Sequence, residues 1–145
     1  MNDLEALSAA KLLALSGMLA ILWSTLLGFV MLIPHQAPPG DTKQPAILWR
    51  WIGAAHLDWI MLGLVSLAAA FLIQLFSAAV PWFIVAGLIF GAWINPTVYV
   101  FRAFGIDAFR FGGSRSQKLA SVVGGVSSLA ILLSLGALIV ILARL

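Results

Sequence analysis

Hydrophobic and polar positions in this chain fall into long blocks rather than short alternations. From Leu12 to Ile33 the sequence is apolar and uncharged for 22 residues, and about 20 residues of helix cross a bilayer. This predicts a first span over residues 12–33. The ten residues before Lys11 carry Asp3 and Glu5 and do not read as a secretory signal peptide, because that flank is acidic. After Ile33 the pattern breaks. Pro34, Pro38, Pro39 and Pro45 sit with Gly40, Asp41 and Lys43, a run that cannot continue a helix. A second apolar block, 46–77, opens on Trp49, Arg50 and Trp51, the aromatic-plus-cation pattern of a membrane–water interface. It is longer than one span, so it tilts or begins within the interface. Pro81 opens a third block, 81–104, at a position proline favours. Residues 77–81 leave room only for a tight hairpin. A polar, glycine-bearing stretch from Gly105 to Gln117 precedes the fourth block, 118–142. The expected fold is all-α, an integral membrane four-helix bundle in a single domain over 1–145, with no internal repeat.

Composition supports the bilayer as the main solvent. The chain has 145 residues, 63% hydrophobic and 9% charged, with mean hydropathy +1.10. A soluble domain is roughly 45–50% apolar and about 25% charged, and a fold this short could not bury the excess. The net charge of +3 rests on eight basic residues, too few and too scattered for a nucleic-acid surface. The absence of cysteine excludes disulfides, thiolate metal sites and iron–sulfur clusters. Lys43, Arg50, Arg102, Arg110, Arg115 and Lys118 flank the two long loops, whereas Lys11 and Arg144 lie on the other side. The positive-inside rule then puts the long loops in the cytoplasm and both termini outside. Gly87 and Gly91, and Gly124 and Ser128, are spaced by four, which suits close helix packing or an oligomer contact.

Polar groups inside a span are costly and are site candidates by default. Those here are His56, Asp58, Gln74, Asn95 and Tyr99. His56 lies five residues beyond Trp51, roughly 7–8 Å below the aromatic level. Asn95 and Tyr99 are four apart, share one helix face and fall in the same half of the membrane. Pro96 between them removes a backbone hydrogen bond and frees a carbonyl near Ala92, and Trp93 adds an aromatic wall. A lone histidine can simply sit at headgroup level; Asn95 and Tyr99 at similar depth argue for a site. Asp58 points to nearly the opposite side from His56, so an ion pair with Arg50 or Arg102 is expected for it. His35 reads as solvated in the proline loop and Gln74 as interfacial. Zinc usually needs three or four protein ligands. One histidine suffices for a haem, whose equatorial ligands come with the cofactor. A bis-histidine electron carrier would need His35 as well.

The run Trp51-Ile52-Gly53-Ala54-Ala55-His56-Leu57-Asp58 resembles the start of the second helix in styrene oxide isomerases and hydroxylaminobenzene mutases. Gly91-Ala92-Trp93-Ile94-Asn95, followed by Tyr99 and Phe101, is similar to the matching third-helix segment of the isomerases, and Phe111-Gly112-Gly113 also agrees. The resemblance implies a homotrimeric protein of a bacterial inner membrane with haem b at the subunit interface. It implies His56 as the axial iron ligand, and ferric iron as a Lewis acid that turns a small apolar aromatic epoxide into an aldehyde by a 1,2-hydride shift. Tyr99, with Asn95 beside it, would hold the substrate oxygen. Trp93 would wall the cofactor, and Arg50 or Arg102 would meet its propionates. Trp59, Phe90 and Phe101 are candidates to stack the aryl group with Trp93. Two positions depart from the family: a polar contact six residues after the histidine is Leu62 here, and an acid two before the tryptophan is Gly91. The His-Leu-acid order is similar to the mutase branch, which opens an arylhydroxylamine as substrate.

A non-catalytic b-type haem subunit, carrying electrons or sensing haem, is the competing class. A small multidrug transporter would need a carboxylate in the first span, which has none. A glutathione-using four-span enzyme would need more converging cations than Arg102 and Arg110.

Overall fold

The computed structural model of the chain describes residues 2–32 and 47–145. The proline-rich loop, with His35 and Lys43, lies outside the described residues. Five helices form: α1 (Asn2–Val30), α2 (Trp49–Leu75), α3 (Trp82–Ile94), α4 (Thr97–Ala103) and α5 (Arg115–Leu142). No strand occurs among the described residues. α3 and α4 together make the third span, Trp82–Ala103, and the four spans are each long and apolar enough to cross a membrane. The all-α four-helix architecture is therefore as the hydropathy pattern implies.

The ends differ from the expected boundaries for local reasons. α1 starts at Asn2, well before Leu12, because good helix formers continue upstream and Ala6, Ala9 and Ala10 share one buried cluster with Ala69, Ala70 and Ile73 of α2 and Ile84, Val85 and Leu88 of α3. Lys11 stays exposed and does not interrupt it. α2 starts at Trp49, after the Leu48 N–H donates to the Ala103 carbonyl at 2.9 Å, tying the start of α2 to the end of α4. The third span is broken where proline stands. Pro96 has no N–H for the Ala92 carbonyl, so α3 ends at Ile94 and α4 starts afresh at Thr97. α5 starts at Arg115 rather than residue 118 because Ser114 and Gln117 form a capping box. The Ser114 N–H donates to Gln117 Oε1 at 3.0 Å, and the Gln117 N–H to Ser114 Oγ at 3.3 Å.

Small residues set the helix spacing. A Cβ on Gly17 would stand 2.6 Å from the Gly63 carbonyl, and one on Gly124 would stand 2.6 Å from Val98 Cγ1. Gly87 meets Ser134, and Gly91 meets Ile131. The expected packing role of the glycines is thus met within one chain. α1 packs along α2, α3 along α5, and α4 against α2. The outer faces of α1 and α5 carry exposed leucines and valines, as lipid-facing helices do.

Candidate functional site

His56 lies on the seam between α2 and α1. Its Nδ1 is 2.7 Å from the Ser24 carbonyl oxygen and 2.8 Å from Ser24 Oγ. The Ser24 hydroxyl spends its proton on the His56 carbonyl, at 2.6 Å. Both partners of Nδ1 therefore accept, and the bonding pattern assigns the imidazole proton to Nδ1. In the neutral tautomer Nε2 then carries the lone pair, and no group among the described residues bonds to it. Gly28 lets the α1 backbone pass beneath the ring: a Cβ there would stand 3.2 Å from His56 Cε1. On α2, His56 separates the buried Ile52, Trp59 and Gly63 from the exposed Leu57 and Leu64. The ring thus borders the outer surface of the bundle.

Asp58 follows two residues later, about 200° around the helix. It faces the α3–α4 break. Asn95 Nδ2 donates to Asp58 Oδ2 at 3.1 Å, and Ser128 Oγ donates to Asn95 Oδ1 at 2.7 Å. Ser127 Oγ lies 3.4 Å from the same Asn95 oxygen and donates to the Gly124 carbonyl at 2.9 Å. A polar chain thus runs from α2 through the break to the middle of α5. The expected ion pair of Asp58 with Arg50 or Arg102 is corrected by this arrangement. Both arginines sit level with Trp51, and Trp51 is seven residues, about 10 Å, from Asp58 along the axis.

Those arginines build a separate cluster. Arg102 lies over the Trp51 ring at 4.0 Å and the Phe109 ring at 5.0 Å, and Arg50 over Trp51 at 5.2 Å. Arg102 also pairs with Asp107 at 3.9 Å. Tyr99 stacks on Trp51, with centroids 6.3 Å apart and planes 14° off parallel, and tilts against Phe109 at 5.6 Å. Tyr99 and Asn95 line one cavity of about 280 Å³ with Val98, Phe109, Phe111 and Ser128. Trp93 stands elsewhere. Its indole N–H donates to Ser16 Oγ at 3.0 Å, and its carbonyl accepts from Trp59 Nε1 at 3.2 Å. Trp23, Leu27, Trp59, Trp93 and Phe101 line an apolar groove of about 670 Å³. Phe90 is not among its walls and is exposed.

Of the sequence candidates, one chain brings Asn95 and Tyr99 into one cavity and Arg50 and Arg102 onto one indole. His56 is not joined to either group. Ser24 and Gly28, which build the α1 half of the histidine site, escaped the sequence reading, and Ser128 was expected only as a packing residue, not as the partner of Asn95. A serine four residues before a glycine in an otherwise apolar span was the available signal. Among the described residues no three His, Cys, Asp or Glu side chains gather as a metal site. No protein-family model, curated protein or solved structure matches the chain.

Proposed function

We propose that this chain is a membrane-embedded, haem-dependent isomerase of the styrene oxide isomerase kind. It would rearrange an aryl epoxide to an aldehyde, or an arylhydroxylamine by the related mutase reaction. The observation that carries the reading is the pair of acceptors at His56 Nδ1, the Ser24 carbonyl and hydroxyl oxygens. An Nδ1–H held by a backbone carbonyl, with Nε2 left as lone-pair donor, is the arrangement in which a histidine binds a metal. Gly28 clears the ring, and the donor set is one imidazole in a chain without cysteine. These residues fit a haem, which asks the protein for as little as one ligand.

His56 would hold haem b through Nε2, and Ser24 would fix the ring. Arg50 and Arg102 would receive the propionates as bidentate donors. Bound there, ferric haem supplies a Lewis acid to the oxygen of a C–O or N–O bond. Tyr99 and Asn95 donate hydrogen bonds to the substrate oxygen as charge grows on it. Phe109 and Phe111, which line the same cavity, would keep water from a cationic intermediate that would otherwise be trapped as a diol. The His56 seam and the Asn95–Tyr99 cavity lie on different sides of α2, and a homotrimer that sets one protomer's seam against its neighbour's cavity unites them. In this reading the trimer sits in a bacterial inner membrane, with the long loops cytoplasmic and the termini outside.

The test is the absorption spectrum of detergent-purified protein, with native mass and turnover of styrene oxide. A Soret band near one haem per chain, lost in His56→Ala and kept in His35→Ala, supports the reading. A trimeric mass and aldehyde formation complete it. A chain without a Soret band overturns it. A low-spin bis-histidine spectrum indifferent to added ligands assigns the chain to the non-catalytic haem class instead.

A further inference from the structure

Asn95 is held at membrane depth by three elements, and its bonding leaves one group unspent. A side-chain amide has two N–H donors and an oxygen with two lone pairs. One N–H goes to Asp58 Oδ2 at 3.1 Å, and the oxygen accepts from Ser128 at 2.7 Å. This pair of partners fixes the orientation. Turned over, the amide would set its oxygen against a carboxylate oxygen. The second N–H has no partner among the described residues. Neither has the hydroxyl of Tyr99, which lines the same cavity. The Ser121 hydroxyl, also in that wall, is spent on the Arg110 carbonyl at 2.7 Å. The cavity, about 280 Å³, lies just below the roughly 300–1,000 Å³ of sites for drug-sized ligands. Its volume and its Phe109 and Phe111 walls suit a molecule with one aromatic ring.

We propose that Asp58 and Ser128 are positioning residues that present the second N–H of Asn95, beside the Tyr99 hydroxyl, as a donor to the oxygen of a one-ring aromatic ligand in this cavity. The proposal rests on the reading of this cavity as the substrate site and deepens it. A polar network at this depth is retained against its cost in lipid, and a fixed donor stabilises developing charge better than a mobile one. Asp58 acts here as a hydrogen-bond acceptor. Asparagine at that position keeps an acceptor oxygen, whereas leucine does not.

The experiment uses acetophenone labelled with carbon-13 at the carbonyl, bound to the full-length purified protein, with the carbonyl stretch read by difference infrared spectroscopy. In the parent, the bound band should lie below its position in alkane solvent. Tyr99→Phe should move it part of the way back. Asp58→Leu should move it back by a comparable step, Ser128→Ala by a smaller one, and Asp58→Asn should leave it near the parent position. If Asp58→Leu does not fold, Ser128→Ala and Asp58→Asn still decide the matter. The proposal is overturned by an unshifted or absent bound band in the parent. It is also overturned if Ser128→Ala leaves the band in place, or if Asp58→Asn shifts it as far as the loss of Tyr99 does. Styrene oxide turnover on the same samples separates the two readings. A shifted band in a protein that makes no aldehyde refutes the isomerase and leaves the positioning standing. Aldehyde formation with a band blind to Asp58 and Ser128 does the reverse.

Discussion

The imidazole of His56 is oriented by the main chain of Ser24: Nδ1 stands 2.7 Å from the Ser24 carbonyl oxygen. The tautomer therefore belongs to the crossing of two helices more than to any one side chain. Ser24→Ala removes the hydroxyl but keeps the carbonyl, so it should retain haem at close to parental occupancy. Gly28→Val places branched carbon where a Cβ alone would stand 3.2 Å from Cε1. Overpacking of this kind costs about 1–3 kcal/mol, so haem retention should fall roughly tenfold or more. Haem titration of the two purified variants checks both, and equal loss in the two would contradict the main-chain argument.

Tyr99→Phe keeps the ring that stacks on Trp51 and removes the hydroxyl. Its Soret band and oligomeric mass should match the parent. Aryl epoxide isomerisation should drop by ~10²–10³, the usual loss for one donor to a developing oxyanion. Steady-state rates at saturating substrate give the answer, and a parental kcat would remove Tyr99 from the chemistry.

The α4–α5 contact depends on Gly124, where a Cβ would lie 2.6 Å from Val98 Cγ1. Gly124→Ala should destabilise the protein by about 1–3 kcal/mol through overpacking. Val98→Ala in the same chain should recover much of that loss, because it clears the clashing methyl. Thermal unfolding of the two single variants and the double variant in one detergent measures the coupling.

Ser114 closes the capping box at the start of α5. Ser114→Ala should cost about 1 kcal/mol, the common penalty for a lost N-cap. Ser114→Gly should cost only a few tenths. A fall in midpoint that is the same for both would place the effect outside the cap.

The four spans were legible because an apolar block of membrane length has one good solution in a bilayer. Their ends were not. The upstream extension of α1 depends on Ala6, Ala9 and Ala10 finding α2 and α3, which no local pattern records. His56, Asn95 and Tyr99 stood out as polar or singular residues in apolar text. How they group did not, since that depends on which way each helix is turned. Asp58 shows the limit well. A charge in a span suggests a cation partner, yet the arginines sit too near the loops, and an amide on the next helix takes the carboxylate instead. Ser24 was hidden by its ordinariness, since serine is frequent enough in spans to carry little signal.

The break at Pro96 also has a thermal consequence. α4 is seven residues long, and a helix shorter than about 12–15 residues is marginal by its own bonds. What keeps Tyr99 in place is borrowed: the Trp51 stack, the Val98 methyl against Gly124, and the Leu48 N–H on the Ala103 carbonyl. This segment should open as a unit at lower free energy than the long helices around it. Amide protons of residues 100–103 should then exchange with deuterium ahead of those in α3. On warming, the wall that carries Tyr99 would melt while the rest of the bundle still holds.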